Sequence, residues 1–125
     1  MHPTHFRYTK EHEWLHVEES RATVGITDFA QHELGDIVYV ELPEPGRRFG
    51  AGDVIGTIES VKAVSEIYAP VAGEILEVNH ALGDEPQRVN QDPHGEGWIC
   101  RVRLADPGDV GTLMDASAYE SFVGR

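Results

Sequence analysis

The sequence contains one cysteine, two lysines and no long apolar run, and each shortage argues against a class of protein. A single cysteine cannot build an internal disulfide framework. No apolar run is long enough to span a bilayer, and the first residues lack the apolar core of a secretory signal. We therefore expect a cytoplasmic protein.

Positive charge is scarce as well, with 10 basic against 22 acidic residues and a formal net charge of -12. Nucleic acids and anionic membranes both attract basic proteins, so this balance argues against either as a partner. It suits a protein that docks transiently on basic patches of other proteins, although acidity also serves solubility alone. At 125 residues we expect a single monomeric domain, 1–125, with a core of about 8–122.

The segment His12-Glu13-Trp14-Leu15-His16 matches the H-E-x-x-H pattern of zinc peptidases. That chemistry needs a helix, on which the two histidines face one metal. The local sequence instead indicates a strand, with Ala22 to Ile26 as its hairpin partner, and a strand separates the histidines by roughly 3.3 Å per residue. We expect no metal ligands here, and a small metal peptidase remains the alternative enzyme hypothesis.

No other constellation predicts catalysis, and we assign no catalytic residue. Cys100 shares strand parity with Trp98, Val102 and Leu104, whereas the opposite parity carries arginines. It is therefore expected to be a buried strand residue and not a nucleophile.

The hydrophobic pattern and the turn residues predict a mainly β chain with a short helix at Phe29–Leu34 and a second after Asp115. Residues 1–12 are expected to start loosely and to become ordered near Phe6 and Tyr8, and Leu82 to Gly97 are expected to be rich in loops. The predicted strands are 13–17, 22–26, 37–42, 53–58, 64–68, 73–78 and 98–104.

An internal repeat appears when the chain is shifted by 31 residues. Gly52-Asp53 then falls on Gly83-Asp84, and Ile58 falls on Val89. Each half reads as an apolar strand, a turn, a Gly-Asp turn and another apolar segment. Two such halves would pack on each other as a flattened sandwich, although chance matches are common in an all-β chain.

Lys62 is presented between two short, β-branched segments, Val54–Ile58 and Val64–Tyr68, which read as strands. The five residues Glu59 to Ala63 have about the length of a hairpin connection. Small neighbours leave the side chain accessible, and Lys10 is the only other lysine. Arginine, which supplies the remaining positive charge, is not acylated under ordinary conditions. Lys62 is therefore predicted as a site of acylation, the alternative being an ordinary exposed turn lysine.

The stretch from Gly56 to Glu74, GTIESVKAVSEIYAPVAGE, closely resembles the lipoyl-attachment segment of glycine cleavage system H proteins. The resemblance runs from Tyr8 to Phe122. Biotin-carrying domains place methionines beside the lysine, and lipoyl domains of 2-oxoacid dehydrogenases typically have Asp-Lys-Ala. Further matching segments are His12-Glu13-Trp14, Val24-Gly25-Ile26-Thr27-Asp28, Leu34-Gly35-Asp36-Ile37-Val38, Glu41-Leu42-Pro43 and Gly95-Glu96-Gly97-Trp98.

The resemblance implies a barrel-sandwich hybrid of the lipoyl- and biotinyl-carrier type. Its expected features are an N-terminal hairpin, a short helix near 28–34 and a C-terminal helix near 115–123. It also implies a covalent carrier and not an enzyme. One lipoic acid on Lys62 would take an aminomethyl group from glycine at glycine decarboxylase (P protein) and pass it to aminomethyltransferase (T protein). Dihydrolipoamide dehydrogenase (L protein) would then reoxidise it.

Other residues take expected roles from the same resemblance. A lipoate-attaching enzyme would recognise the context of Lys62, namely Glu59, Ser60, Val61 and Ala63. Glu13 matches a family acid associated with a cleft that shields the loaded arm, and the alternative is a solvent-facing strand residue. Some H-like proteins instead relay lipoyl groups to other enzymes, and the sequence does not separate that role from glycine cleavage.

Overall fold

A computed structural model describes residues 2–124 as a mainly β structure with two antiparallel sheets and short helices, which confirms the expected fold class. The nine strands within these residues are β1 (Arg7–Tyr8), β2 (Glu13–Glu18), β3 (Arg21–Ile26), β4 (Ile37–Glu41), β5 (Arg48–Phe49), β6 (Val54–Ser60), β7 (Val64–Tyr68), β8 (Gly73–Val78) and β9 (Cys100–Leu104). The helices are α1 (Asp28–Leu34), α2 (Ala81–Asp84), α3 (Arg88–Gln91) and α4 (Ala116–Val123), with a 3₁₀ turn at Pro107–Thr112.

One sheet has six strands in the order β1-β2-β3-β9-β8-β5, and the other has three in the order β4-β6-β7. The N-terminal hairpin pairs Glu13 with Ile26 and Glu18 with Arg21 across β2 and β3, as the sequence predicted. Because β6 and β7 are consecutive antiparallel strands, the segment that joins them lies at one end of the smaller sheet.

Both longer helices begin at a residue whose side chain caps the first turn. Thr27 Oγ1 accepts the backbone N–H of Ala30 at the start of α1, and Asp115 accepts that of Ala118 at the start of α4. Gly35, at φ +80°, ends α1 in a conformation that favours glycine.

The main core lies between the two sheets and is built from the inward rows of both. Cys100 is fully buried in β9, as predicted, and burial raises the pKa of its thiol to about 12. Arg101, on the opposite parity, lies 4.1 Å above the Trp98 ring.

A second, aromatic core joins the N-terminal segment to α4. Tyr8 stacks on Tyr119 with ring centroids 4.8 Å apart, and Phe6 stacks on Trp14 at 4.6 Å. The Trp14 indole covers Gly25, where an added Cβ would lie 2.6 Å from the ring. Glycine is therefore required opposite this tryptophan.

Three sequence expectations are wrong in detail. His2 lies in the predicted loose start but is only 3% exposed, because its ring packs edge-on against Tyr119 at 4.9 Å. The predicted loop 82–97 contains α2 and α3, with Leu82 and Val89 buried. Gly83-Asp84 is helical and not a turn, so the proposed repeat pairs Ile58 in a strand with Val89 in a helix.

The termini Met1 and Arg125, which the expected domain 1–125 includes, lie outside the described residues. Within residues 2–124 no helix is both long and apolar enough to cross a bilayer.

Candidate functional site

Lys62 lies at the tip of the β6–β7 hairpin and is exposed. β6 runs to Ser60, two residues beyond the predicted end, so the connection is shorter than the sequence indicated. Ser60 fixes its shape: its backbone N–H donates to Ala63 O over 2.8 Å, and its Oγ accepts the N–H groups of Lys62 and Ala63 at 3.3 and 3.0 Å. The turn is thus held by its own first residue, and Lys62 is exposed within it.

The hairpin tip is also attached to the segment that follows α1. The N–H of Val61 donates to Asp36 O over 3.0 Å. The Lys62 stem passes over Gly35, where an added Cβ would lie 3.6 Å from Lys62 Cε. The site therefore comprises two chain segments.

Asn90 of α3 braces this second segment. Its Oδ1 accepts the N–H of Ile37 at 2.9 Å, and its Nδ2 donates to Gly35 O at 2.8 Å and to Gln31 Oε1 at 3.0 Å. No local sequence pattern indicates this role, because Asn90 lies more than fifty positions from these partners.

The other predicted context residues surround the hairpin in different ways. Glu59, half-buried in β6, is in register with Tyr39 of β4 and Val64 of β7. Val61 is 70% exposed beside Lys62, and Ala63 is exposed before β7. The structure therefore brings Glu59, Ser60, Val61 and Ala63 together with Lys62.

Glu13 is only 2% exposed. Its Oε1 accepts the Thr9 hydroxyl at 2.6 Å, and its Oε2 accepts the backbone N–H of Tyr68 at 3.0 Å. Burial raises the pKa of this carboxyl to about 7, against the opposing effect of the two hydrogen bonds. The solvent-facing alternative for Glu13 is therefore wrong.

A cleft of about 480 Å³ opens beside Glu13. Its walls come from the start of the chain, the end of β7 and the segment before α4. The lining residues are Tyr8, Thr9, Lys10, Glu11, Glu13, Gly52, Tyr68, Ala69, Pro70, Thr112, Leu113 and Met114.

Strand β7 connects the lysine to this cleft. It begins at Val64, two residues after Lys62, and ends at Tyr68, which bonds Glu13. Four residue steps of a strand cover about 13 Å. Lys62 and Glu13 therefore do not touch. Lys62 lies just before the start of the edge strand β7, and Glu13 contacts the last residue of that strand.

The H-E-x-x-H segment lies on β2 and the residue before it, as a strand and not a helix. His12 Nδ1 lies 2.7 Å from the Tyr119 hydroxyl, whereas His16 stacks on Phe6 with centroids 4.9 Å apart. The two imidazoles are engaged by different neighbours, so the geometry of a zinc peptidase is not formed.

Comparison with known proteins is consistent with this arrangement. The family described as "Glycine cleavage H-protein" matches residues 6–125. The chain is 51% identical over 119 residues to the glycine cleavage system H protein of Thermotoga maritima, covering 95% of this chain and 96% of the relative. It is 54% identical over 125 residues to that of Chlorobium limicola, covering 98% of each.

The crystal structure of a glycine cleavage system H protein from Mycobacterium marinum superposes with a TM-score of 0.92 at 39% identity. The match covers 99% of this chain and 100% of that one. Sequence and structure agree over nearly the full length, and the chain belongs to the glycine cleavage H-protein family.

Proposed function

We propose that this protein is the lipoyl-bearing shuttle of a glycine cleavage system, with the lipoyl group attached to Lys62. The observation that carries the proposal is an exposed lysine on a hydrogen-bonded hairpin tip, in a chain of this family. Within residues 2–124 Lys62 takes part in no ion pair, so its side chain is free to be modified. The protein acts as a covalent carrier and not as a catalyst.

The distance between the lysine and the cleft suits such a group. A lysine side chain extended by a lipoyl chain reaches roughly 14 Å when its single bonds are extended. The path along β7 from Val64 to Tyr68 is about as long. When attached, the lipoyl group supplies a disulfide that accepts the aminomethyl group and a dithiol that is later reoxidised.

We propose that Glu13 contacts the amino group of the aminomethyl group carried on the lipoyl arm. Each of its oxygens accepts one hydrogen bond in the structure and retains a second lone pair for an incoming donor. A cationic amine at the cleft wall would stabilise the ionised carboxylate and be stabilised by it. The cleft walls would keep water away from a labile adduct.

The partners in this proposal are the P, T and L proteins and a lipoate-attaching enzyme. We also propose that the protein is a monomer and acts in the cytoplasm. Recognition by the attaching enzyme would use Glu59, Ser60, Val61 and Ala63, which the hairpin holds beside Lys62.

Mass spectrometry of the intact protein tests the attachment. After incubation with lipoate, ATP and a lipoate ligase, we expect one lipoyl addition on the wild type and on Lys10→Arg, and none on Lys62→Arg. Because Lys10 and Lys62 are the only lysines, these two variants cover every lysine site. Addition that survives in Lys62→Arg would refute the assignment.

Reconstitution tests the role. With the P protein and glycine, the lipoylated protein should support exchange of bicarbonate with the glycine carboxyl group. A lipoylated protein that fails this exchange but donates lipoyl groups to other enzymes would be a relay protein instead.

A further inference from the structure

The backbone of His12, immediately before Glu13, adopts a left-handed conformation with φ +69°. Among residues 2–124, the only other non-glycine residue with a positive φ is Glu19, which lies in the tight β2–β3 turn, where this conformation is ordinary. His12 lies instead where the chain enters a strand. A residue with a Cβ is strained in this conformation, so the surrounding structure must hold His12 in place.

The left-handed residue closes a short loop that places the Glu13 carboxyl. The Thr9 N–H donates to Glu13 O over 3.0 Å, and the His12 N–H donates to Thr9 O over 3.1 Å. The Thr9 hydroxyl accepts the Glu13 N–H over 3.1 Å and donates to Glu13 Oε1 over 2.6 Å. The dihedral angles of His12 orient the peptide that leads into Glu13. A change in them would therefore move the carboxyl relative to the N–H of Tyr68.

The His12 side chain is held by the C-terminal helix. Tyr119 of α4 is fully buried, and its hydroxyl lies 2.7 Å from His12 Nδ1 and 2.8 Å from Thr27 Oγ1. Thr27 is fully buried as well, and its oxygen accepts the N–H of Ala30 over 3.1 Å. A buried hydroxyl has to donate its own proton, and the Tyr119 oxygen lies within reach of it. Thr27 thus donates to Tyr119, and Tyr119 donates to His12 Nδ1.

This direction requires a neutral His12 ring with its proton on Nε2. Burial lowers the pKa of His12, against the opposing negative charges of Glu11 and Glu33, so the ring is neutral at pH 7. The ring also packs on Phe29, with centroids 4.8 Å apart. The hydrogen bonds that start at the cap of α1 therefore end on an acceptor one residue before Glu13.

We infer that His12 and Tyr119 are positioning residues for Glu13: the Tyr119 hydroxyl holds His12 in its left-handed conformation, and that conformation keeps the Glu13 carboxyl against the end of β7. Neither residue lines the cleft, so both act through Glu13. The inference rests on the role proposed above for Glu13. It gives α4 a part in retaining the carried group, although no residue of α4 lines the cleft.

Hydrogen exchange of the Tyr68 amide, which donates to Glu13, tests the inference in the unlipoylated protein. Tyr119→Phe removes one hydroxyl and keeps the buried ring. The reference is the Ile99 amide, which donates to a backbone carbonyl of β3 over 2.8 Å. In Tyr119→Phe we expect the rate at Tyr68 relative to that at Ile99 to rise at least roughly fivefold, because the Glu13 acceptor is no longer held in place.

Two variants of His12 separate the acceptor from the backbone. Glycine adopts the left-handed conformation without strain but supplies no acceptor to hold it there, so His12→Gly should match Tyr119→Phe. Asparagine also tolerates this conformation, and its Oδ1 stands near the position of Nδ1. His12→Asn should therefore keep most of the wild-type ratio. These variants also serve if Tyr119→Phe does not fold.

Ile75→Val is the control for lost stability, because it removes one buried methylene from β8 and none of the contacts that hold Glu13. It should leave the ratio of the two exchange rates at the wild-type value. A merely structural effect of the Tyr119 hydroxyl would act on both amides and would not be restored by asparagine at position 12.

A second measurement uses the lipoylated protein after loading by the P protein with glycine. Intact mass follows loss of the carried group, whose half-life should shorten at least roughly threefold in Tyr119→Phe and His12→Gly, but not in His12→Asn or Ile75→Val. The loss consumes one water. The C–S bond breaks with its electron pair on sulfur, which takes a proton, and the group leaves as formaldehyde and ammonia.

The outcomes separate this inference from the proposed function. A wild-type exchange ratio in both Tyr119→Phe and His12→Gly, or an equal rise in Ile75→Val, would overturn the positioning role. A raised ratio with a wild-type half-life would also overturn it, since Glu13 would then not retain the group through these contacts. Failure of the wild type to accept lipoate on Lys62 would refute the proposed function instead, and the exchange rates would still decide whether Glu13 is positioned from α4.

Discussion

The backbone N–H of Tyr68 donates to Glu13 Oε2 over 3.0 Å, so the strand that starts at the lysine hairpin ends on a buried carboxyl. The donor in this hydrogen bond is a backbone N–H, so the bond does not depend on which side chain stands at position 68. This contact makes the position of β7 depend on a residue of the N-terminal hairpin.

Glu13→Gln should change how stability depends on pH. Burial raises the carboxyl pKa from 4.5 to about 7, so between these values the folded protein holds a proton that the unfolded chain releases. The free energy of unfolding of the wild type should therefore fall as pH rises through this range, by about 2–3 kcal/mol from this group. Glutamine cannot titrate, so the variant should lack this fall.

Urea unfolding at several values between about pH 5 and pH 8 measures the effect as a difference between the two proteins. All other groups are shared by the two proteins, so their contributions cancel in that difference. Parallel curves for wild type and variant would show that Glu13 is not perturbed.

Asn90→Ala should destabilise the protein by about 1–3 kcal/mol, because it leaves the N–H of Ile37 and the carbonyl of Gly35 without their side-chain partner. It should also slow lipoylation of Lys62, since the segment that holds the hairpin tip loses its brace. Chemical unfolding and the lipoylation rate check both effects. The neighbouring Gln91→Ala, at an exposed position, should change neither.

Ser60→Ala should loosen the turn that presents Lys62. The hydroxyl accepts two backbone N–H groups, and because the site is exposed we expect a loss of only about 0.5–1 kcal/mol. Hydrogen exchange of the Ala63 amide should become faster. Ser65→Ala, exposed on β7, is the control, and equal exchange in both variants would contradict the role given to Ser60.

Gly25→Ala should cost about 1–3 kcal/mol, because the new methyl group would lie 2.6 Å from the Trp14 ring. The ring must move, so its hydrogen bond from Nε1 to Pro93 O, now 2.9 Å, should weaken and tryptophan fluorescence should change. Gly111→Ala, whose added Cβ has no neighbour within 4 Å, should leave both unchanged.

Local features of this protein are predictable from its sequence. The Lys62 hairpin, β8 and the capped helix α1 each follow from residues close together in the chain, such as the cap at Thr27 and the stop at Gly35. Short-range turn and cap chemistry decides such elements, and long-range packing changes them little.

Features that depend on distant partners were not predictable. Alternation along β2 gives no reason for Glu13 to be buried beside Trp14, because its cover comes from the end of β7 and the start of the chain. Asn90 has no local signature for its three long-range bonds. The N-cap residues of the short helices α2 and α3, His80 and Gln87, make no side-chain cap, and each helix instead buries one apolar residue, Leu82 or Val89.

The aromatic core also has a consequence for the order of folding during synthesis. Tyr8 stacks on Tyr119 and pairs with Met114, so this core joins residues that are more than a hundred positions apart. It cannot close on the ribosome until α4 has emerged, whereas the β6–β7 hairpin can form as soon as its own strands are made. The nascent chain therefore displays its lysine before its cleft exists, since Met114 forms part of the cleft wall.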